Sequence, residues 1–253
     1  MKVVAIIQAR MGSSRLPGKV LADIHGRPML KWLLDRVRSV QEIDEIVVAT
    51  TDNPKDDPLE LWVRNQNVAC FRGSESDVLD RFFRCLEEGH AGDIIVRVTA
   101  DDPLKDPGVI REAIKILLKN PAVDYCSNIL KPTYPEGLDI EVFRHDVLVR
   151  AHREAQLPSE REHVTPYVWK NPDKFRLCSM EHDRDLSRWR WTVDKPEDLA
   201  FIRAICEEFK ERPLTPFTEM IAYIEQNPQL LEINSGSATR NEGYLKSLAK
   251  ENK

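Results

Sequence analysis

The stretch that most restricts the fold stands at the start of the chain. Val3-Val4-Ala5-Ile6-Ile7 is a short, largely β-branched apolar run, and it stops abruptly at Gln8-Ala9-Arg10-Met11-Gly12-Ser13-Ser14-Arg15-Leu16-Pro17-Gly18-Lys19. A run of this kind, bounded by turn residues, reads as a buried strand. The loop after it combines small residues with three cations, Arg10, Arg15 and Lys19. Small residues let backbone N–H groups approach a ligand closely, and the cations add charge, so the loop suits an anion, a polyphosphate above all. The plainer alternative is a basic surface loop between a strand and a helix. Two familiar phosphate motifs are excluded. Five residues rather than four separate Gly12 from Gly18-Lys19, and Val20 follows instead of Ser or Thr, so this is no P-loop; there is no G-x-G-x-x-G either.

Composition limits what such a loop can serve. The net charge of −5 argues against general nucleic-acid binding, so any phosphate site must be a local basic pocket on an acidic protein. The five cysteines are scattered without a C-x-x-C pair, which reads as small core residues in a reducing compartment. The six histidines form no metal-like cluster. No apolar run nears the roughly 20 residues of a membrane span, and the N-terminal run is too short for a signal peptide. The expected location is the cytoplasm, with no nucleic-acid or membrane partner.

The rest of the chain alternates strand and helix signals. Pro28–Val37 has helical apolar spacing, with Pro28 suited to a first helical position. Glu45–Thr51 is a second continuous apolar strand, a helix spans Leu59–Asn65, and Val68–Phe71 is a third strand. This β-α-β-α-β order implies a mostly parallel sheet flanked by helices. Ser74 and Asp77 resemble a capping box ahead of the next helix. Arg72 lies just past a strand's carboxyl end, where open α/β sheets bind ligands, and reads equally as a ligand contact or a surface residue. Asp93–Thr99 is a central strand ending in Ala100-Asp101-Asp102-Pro103. Acids at that edge, facing a phosphate loop, suit a Mg²⁺ site, although Asp101 also suits a turn cap. Asp106-Pro107 is simpler, an N-cap with a first-turn proline.

In the second half, Val123–Ser127, Leu138–Phe143, Phe175–Met180 and Arg188–Asp194 read as strands. Alternation from Leu138 puts Asp139 and Glu141 on one face, either solvated or bonding the hydroxyls of a polyol substrate. Ser159–Trp169 reads as one short helix, with Ser159 and Glu162 in capping-box spacing and His163 either structural or substrate-facing. Asp194 closes its strand and doubles as an N-cap candidate. Helices at Ala200–Phe209 and Thr218–Glu225 complete the body. The expected organisation is one domain over residues 1–233, a substrate or dimerisation region at about 130–190, and a polar tail at 234–253 with a weakly amphipathic end.

Several motifs together resemble the cytidylyltransferase family, which includes the CMP-sugar-acid synthetases, and most of all its spore coat polysaccharide biosynthesis protein F branch. They are I-I-Q-A-R-M-G-S-S-R-L-P-G-K at the start, R-G-S-x-x-D-V-L-D-R (Arg72–Arg81), T-A-D-x-P-L (Thr99–Leu104), P-x-G-L-D-x-E-V-F (Pro135–Phe143), E-R-E-H-V-T-P (Glu160–Pro166), T-V-D-x-P-E-D-L (Thr192–Leu199) and N-E-G-Y-L-K-S-L (Asn241–Leu248). The resemblance implies a Rossmann-like nucleotidyltransferase fold, CTP as donor, Mg²⁺ on Asp101 and Asp194, and a homodimer. It places Arg10, Arg15 and Lys19 on the triphosphate. With the loop analysis, the nucleotide set becomes Gln8, Ala9, Arg10, Gly12, Ser13, Ser14, Arg15, Lys19, Arg72, Ser74, Asp77, Thr99 and Ala100. Arg15, Lys19, Asp101 and Asp194 form the catalytic set. Glu136, Asp139, Glu141, His163 and Arg190 are assigned to an acidic, sugar-like acceptor. Competing expectations are another nucleoside triphosphate acting on a sugar phosphate or phosphonate, and a nucleotide-binding relative without turnover.

Overall fold

A computed structural model describes residues 1–236 and 240–251. The expected tail therefore includes residues 237–239 and 252–253, which lie outside the described residues. The chain begins with β1 (Val3–Gln8), the cation-bearing loop, and a small antiparallel pair, β2 (Asp23–Ile24) and β3 (Arg27–Pro28). Pro28 closes that pair and precedes α1 (Met29–Arg38) rather than opening it. The order then runs β4 (Glu45–Thr51), α2 (Asp57–Asn65), β5 (Ala69–Gly73), α3 (Val78–Glu87), β6 (Ile94–Thr99) and α4 (Pro107–Lys119). It continues with β7 (Tyr125–Ser127), β8 (Glu141–Arg144), α5 (His145–Glu154), α6 (Pro158–His163), α7 (Pro166–Trp169) and β9 (Leu177–Ser179). The chain finishes with α8 (Pro196–Phe209), α9 (Phe217–Gln226) and α10 (Glu242–Glu251).

Seven strands form one sheet in the order β5-β4-β1-β6-β8-β7-β9. β1 lies between β4 and β6, parallel to both, and β8 pairs antiparallel with its neighbours β6 and β7. This is the mostly parallel α/β sheet expected from the alternation. The continuous apolar runs follow from burial on both faces. Val3, Ala5 and Ile7 join the cluster under α1, α4 and α8, while Val4 and Ile6 join the one under α3 and α5. A parallel βαβ sheet presents its ligand edge at the strand carboxyl ends. The loop after β1 and the Asp101 turn after β6 therefore meet there.

The second half departs from the expected strands. Arg188–Asp194 forms no ladder. Its backbone pairs instead with a loop: Glu136 N donates to Trp189 O (2.9 Å) and Trp191 N to Glu136 O (2.6 Å), with one parallel bridge between Glu136 and Arg190. Most of this stretch is buried on both sides, Arg190 and Thr192 as well as Trp191 and Val193, while Arg188 at its start is exposed. Likewise only Glu141–Arg144 of the 138–143 stretch is strand. Gly137, at φ 107°, turns the chain, and the Asn128 side chain brackets Leu138 O and Ile140 N. Asp139 thus lies outside β8. The expected helix at 159–169 is two pieces, because Val164 adopts φ 73° and Pro166 starts α7 afresh.

Gly137 packs against the segment carrying Asp194. A Cβ there would sit 2.6 Å from Trp191 C and 2.7 Å from Thr192 N, on a backbone few side chains tolerate. Gly137→Ala is expected to lose ~2–3 kcal/mol of stability. Urea unfolding checks this; an unchanged midpoint would show that this loop is free to move.

Candidate active site

A cavity of about 400 Å³ opens at the carboxyl edge of the sheet. The loop after β1 forms its floor. Asp56 accepts from Met11 N (2.7 Å), Gly18 N donates to Met11 O (2.9 Å), and Gly18 itself takes φ 73°. Held this way, the loop leaves the amides of Gly12, Ser14 and Arg15 without an acceptor among the described residues. That is a backbone suited to an anion.

Lys19 stands at the centre. It is buried, and its Nζ donates to Asp101 Oδ2 (3.1 Å), Asp194 Oδ1 (3.0 Å) and Val193 O (2.6 Å). Burial alone would lower its pKa. The two carboxylates outweigh that and hold it above the ordinary lysine value. Asp194 is raised by its own burial but ends below the ordinary range, because Lys19, Arg15 and Arg190 surround it. Arg15 reaches Asp194 at 2.9 Å and pairs through its other terminal nitrogen with Glu242 of α10. Asp101 and Asp194 are therefore adjacent, each facing the same cation. Two hard oxygen donors on one open cavity suit Mg²⁺, which keeps most of its shell for phosphate and water. No group of three metal-ligating side chains occurs among the described residues.

Most of the residues singled out in the sequence line this cavity. Gln8, Ala9, Arg10, Ser13, Ser14, Arg15 and Lys19 do so from the loop, and Thr99, Ala100 and Asp101 from the end of β6. Glu136, Asp139, Glu141, His163 and Asp194 line it from the second half. Five assigned residues do not: Gly12, Arg72, Ser74, Asp77 and Arg190. Arg72 is a clamp on the outer strand edge, donating to Thr51 O and Asn53 O (both 2.8 Å) and pairing with Asp57 (2.6 Å) and Glu60 (2.7 Å). Ser74 Oγ accepts from Asp77 N, and Asp77 caps α3 through Asp80 N and pairs with Arg161. Both are structural. Arg190 is buried behind Asp194, bound to Glu136 (2.6 Å), Asp194 (2.8 Å) and Asp198 (3.1 Å). It positions Asp194 from behind. Gly12 turns the loop beside Glu75, outside the cavity wall.

Three features escaped the sequence. Arg97, in the middle of β6, lines the cavity; it donates to Gln8 Oε1 (3.2 Å) and pairs with Glu141. Its signal was a lone charge inside a buried strand run. Arg81 is a buried guanidinium on the same wall, lowered to about 10 by burial with Arg10 close by. The third is the tail: Asn241, Glu242, Gly243 and Tyr244 form part of the wall. On the acceptor side, Glu141 also accepts from Tyr125 (2.6 Å) and from Thr165, and Arg240 pairs with Asp139. Burial pushes the Asp139 carboxyl up to about 7 despite that arginine.

The match of this chain to known proteins agrees with the geometry. Residues 4–233 fit the cytidylyltransferase family. The chain belongs to this family. Members are nucleotidyltransferases, and this is one. It is 35% identical over 233 residues to the spore coat polysaccharide biosynthesis protein SpsF of Bacillus subtilis, covering 89% of this chain and 95% of that one. It is 39% identical over 125 residues to the 3-deoxy-manno-octulosonate cytidylyltransferase of Geobacter sulfurreducens, covering 49% and 48%. A cytidylyltransferase structure from Leptospira borgpetersenii superposes with a TM-score of 0.88 at 33% identity, over 91% of this chain and 97% of that one. The nucleotidyltransferase fold is therefore shared. No helix among the described residues is long and apolar enough to cross a membrane.

His163 lies on this wall with its Nε2 3.1 Å from Ser247 Oγ. Burial, then the charge of Arg97, lowers its pKa to about 4, so the folded protein holds it neutral. The unfolded chain takes up that proton near pH 6.5, so stability is full above this value and falls as pH drops towards 4. His163→Gln is expected to flatten that slope, read from urea midpoints between pH 4 and 7. Parallel slopes for the two proteins would rule out this histidine as the source.

Proposed function

We propose that the protein transfers CMP from CTP to an acidic, sugar-like acceptor with release of pyrophosphate, in the making of a surface polysaccharide or glycan. The observation that carries this reading is the meeting of Lys19 with Asp101 and Asp194 at the mouth of the β1 loop. The family membership and the named activities of the relatives support cytidine as the base and a sugar acid as the acceptor.

In this reading the acceptor oxygen attacks the α-phosphorus of CTP. A new O–P bond forms as the bond to the β-phosphate oxygen breaks, and pyrophosphate leaves. Little covalent chemistry falls to the protein, so positioning and charge neutralisation carry the rate. Arg10, Arg15, Lys19 and the free loop amides bind the β- and γ-phosphates and stabilise the departing charge. Asp101 and Asp194 are the residues that would hold Mg²⁺; bound there, the ion neutralises phosphate charge and acidifies the attacking hydroxyl. Arg190 keeps the Asp194 carboxylate aimed at the cavity, and Asp198 fixes that turn by accepting from Asp194 N and Lys195 N (both 3.0 Å). Asp102 is not part of this set: it is buried against Lys105 (2.6 Å) and Thr99 Oγ1 (2.6 Å). Arg97, Glu141, Thr165 and His163 lie on the acceptor side.

Asp101→Asn keeps the shape and the contact to Lys19 but removes the charge. It is expected to cut pyrophosphate release from CTP by on the order of 10²-fold or more, with an unfolding midpoint close to wild type. Near-normal turnover in this variant would remove Asp101 from the machinery.

A further inference from the structure

We propose that the C-terminal segment 240–251 is a working part of the substrate site, and that Glu242 is the positioning residue that holds Arg15 until a triphosphate takes it over. This rests on the reading of Arg15 as a triphosphate ligand. The segment spans the cavity mouth and is anchored at three places. At its start, Arg240 pairs with Asp139 and donates to Tyr134 O (3.1 Å), and Asn241 N donates to Glu136 Oε1 (3.2 Å). In its middle, the Tyr244 ring meets His163 and Trp169 edge-on at 5.4 and 5.5 Å. Towards its end, Ser247 Oγ donates to Glu162 (2.7 Å), and Glu251 accepts from Ser159 N and Oγ.

These contacts are almost all polar, and α10 has no buried residue. A helix held without apolar burial opens at low cost, since the exchange of one hydrogen-bonded or ionic partner for another loses little. Glu242 supplies the coupling. Its carboxylate pairs with Arg15, whose other terminal nitrogen is on Asp194. Both side chains line the cavity, so Glu242 occupies a terminal nitrogen of Arg15 that a phosphate oxygen would need. A carboxylate and a phosphate cannot share that guanidinium without like-charge repulsion in a part-buried site. Glu242 already has a second partner, since its other carboxylate oxygen pairs with Lys246 one helical turn on. Arrival of the triphosphate thus leaves Glu242 on Lys246 alone and loosens the start of the segment. Before that, Glu242 and Asp194 hold Arg15 between them, one on each terminal nitrogen.

Calorimetric titration of the full chain with Mg²⁺ and either CTP or CMP tests this. CMP lacks the β- and γ-phosphates and so does not compete with Glu242. Glu242→Gln is expected to bind CTP roughly fivefold more tightly, the size of one part-exposed ion pair, with CMP affinity unchanged, and Glu242→Asp to return towards wild type. Tryptic cleavage after Arg240 and Lys246 is expected to quicken with CTP and not with CMP. An unchanged or weakened CTP affinity in Glu242→Gln, an equal change for both nucleotides, or cleavage indifferent to CTP overturns the proposal. Arg15→Met separates the two readings. If it binds CTP as well as wild type does, the triphosphate assignment fails; if it binds poorly while Glu242→Gln shows no gain, only the role of Glu242 fails.

Discussion

The ammonium of Lys19 is the contact on which the rest of the site depends. It joins three parts of the chain that are otherwise remote, since Asp101 lies 82 residues away and Asp194 175. Without it, two carboxylates would face each other at a part-buried edge. Leaving such charges unpaired costs ~3–5 kcal/mol in typical buried pairs. The arrangement is stable because charge alternates outward from Lys19: Asp101 and Asp194, then Arg15 and Arg190, then Glu242, Glu136 and Asp198. Each side chain is held by neighbours of opposite sign, so the acids keep a fixed geometry before any ligand arrives. That is how an acidic protein, at −5 overall, sustains a local cluster of cations at this edge.

The same alternation sets the limits on substitution. Arg190 contributes no surface to the cavity, yet three carboxylates converge on it, and they hold its pKa above the ordinary arginine value even though burial acts to lower it. Its value is in aim: Asp194 sits on an extended segment rather than a strand, and Arg190, Asp198, Lys19, the backbone of Asp101 and the contacts to the Gly137 loop keep that segment in place. Strand edges are rigid because the ladder fixes them. A site residue placed off the ladder needs this second layer of bonds.

What was legible in the sequence follows from how local each signal is. β1, β4 and β6 are continuous apolar runs because they are buried on both faces, and the turn residues after them mark the ligand edge. The loop cations and Asp101 follow from that edge directly. Asp194 came from family resemblance, since its own context reads equally as a cap. The strand failures share one cause. Arg188–Asp194 and Leu138–Ile140 alternate like strands, but a loop partner rather than a ladder satisfies their backbone, and alternation cannot tell the two apart. The helix at 159–169 breaks at Val164, whose positive φ no propensity announces. Arg72 occupies the right edge but turns outward, because Asp57 and Glu60 of the preceding helix α2 capture it first.

The cavity wall opposite the loop was the least legible for a different reason. It is assembled from β6, β8, α6, α7 and α10, none of which signals the others in sequence. Its acids are each matched with an arginine once folded: Glu141 with Arg97, Asp139 with Arg240, Glu136 with Arg190. Read as sequence, Asp139 and Glu141 suggest an acidic surface. Folded, they form a wall whose acids are neutralised by arginines, with the aromatic edges of Trp169 and Tyr244 beside it. Hydroxyl groups both donate and accept, so such a wall complements a polyhydroxylated ligand better than a bare anion. The loop side is built the other way, with Arg10, Arg15 and Lys19 and amides that have no acceptor among the described residues. The two halves of the cavity therefore differ in kind, cations beside acceptor-free amides on one side and acids matched in ion pairs on the other.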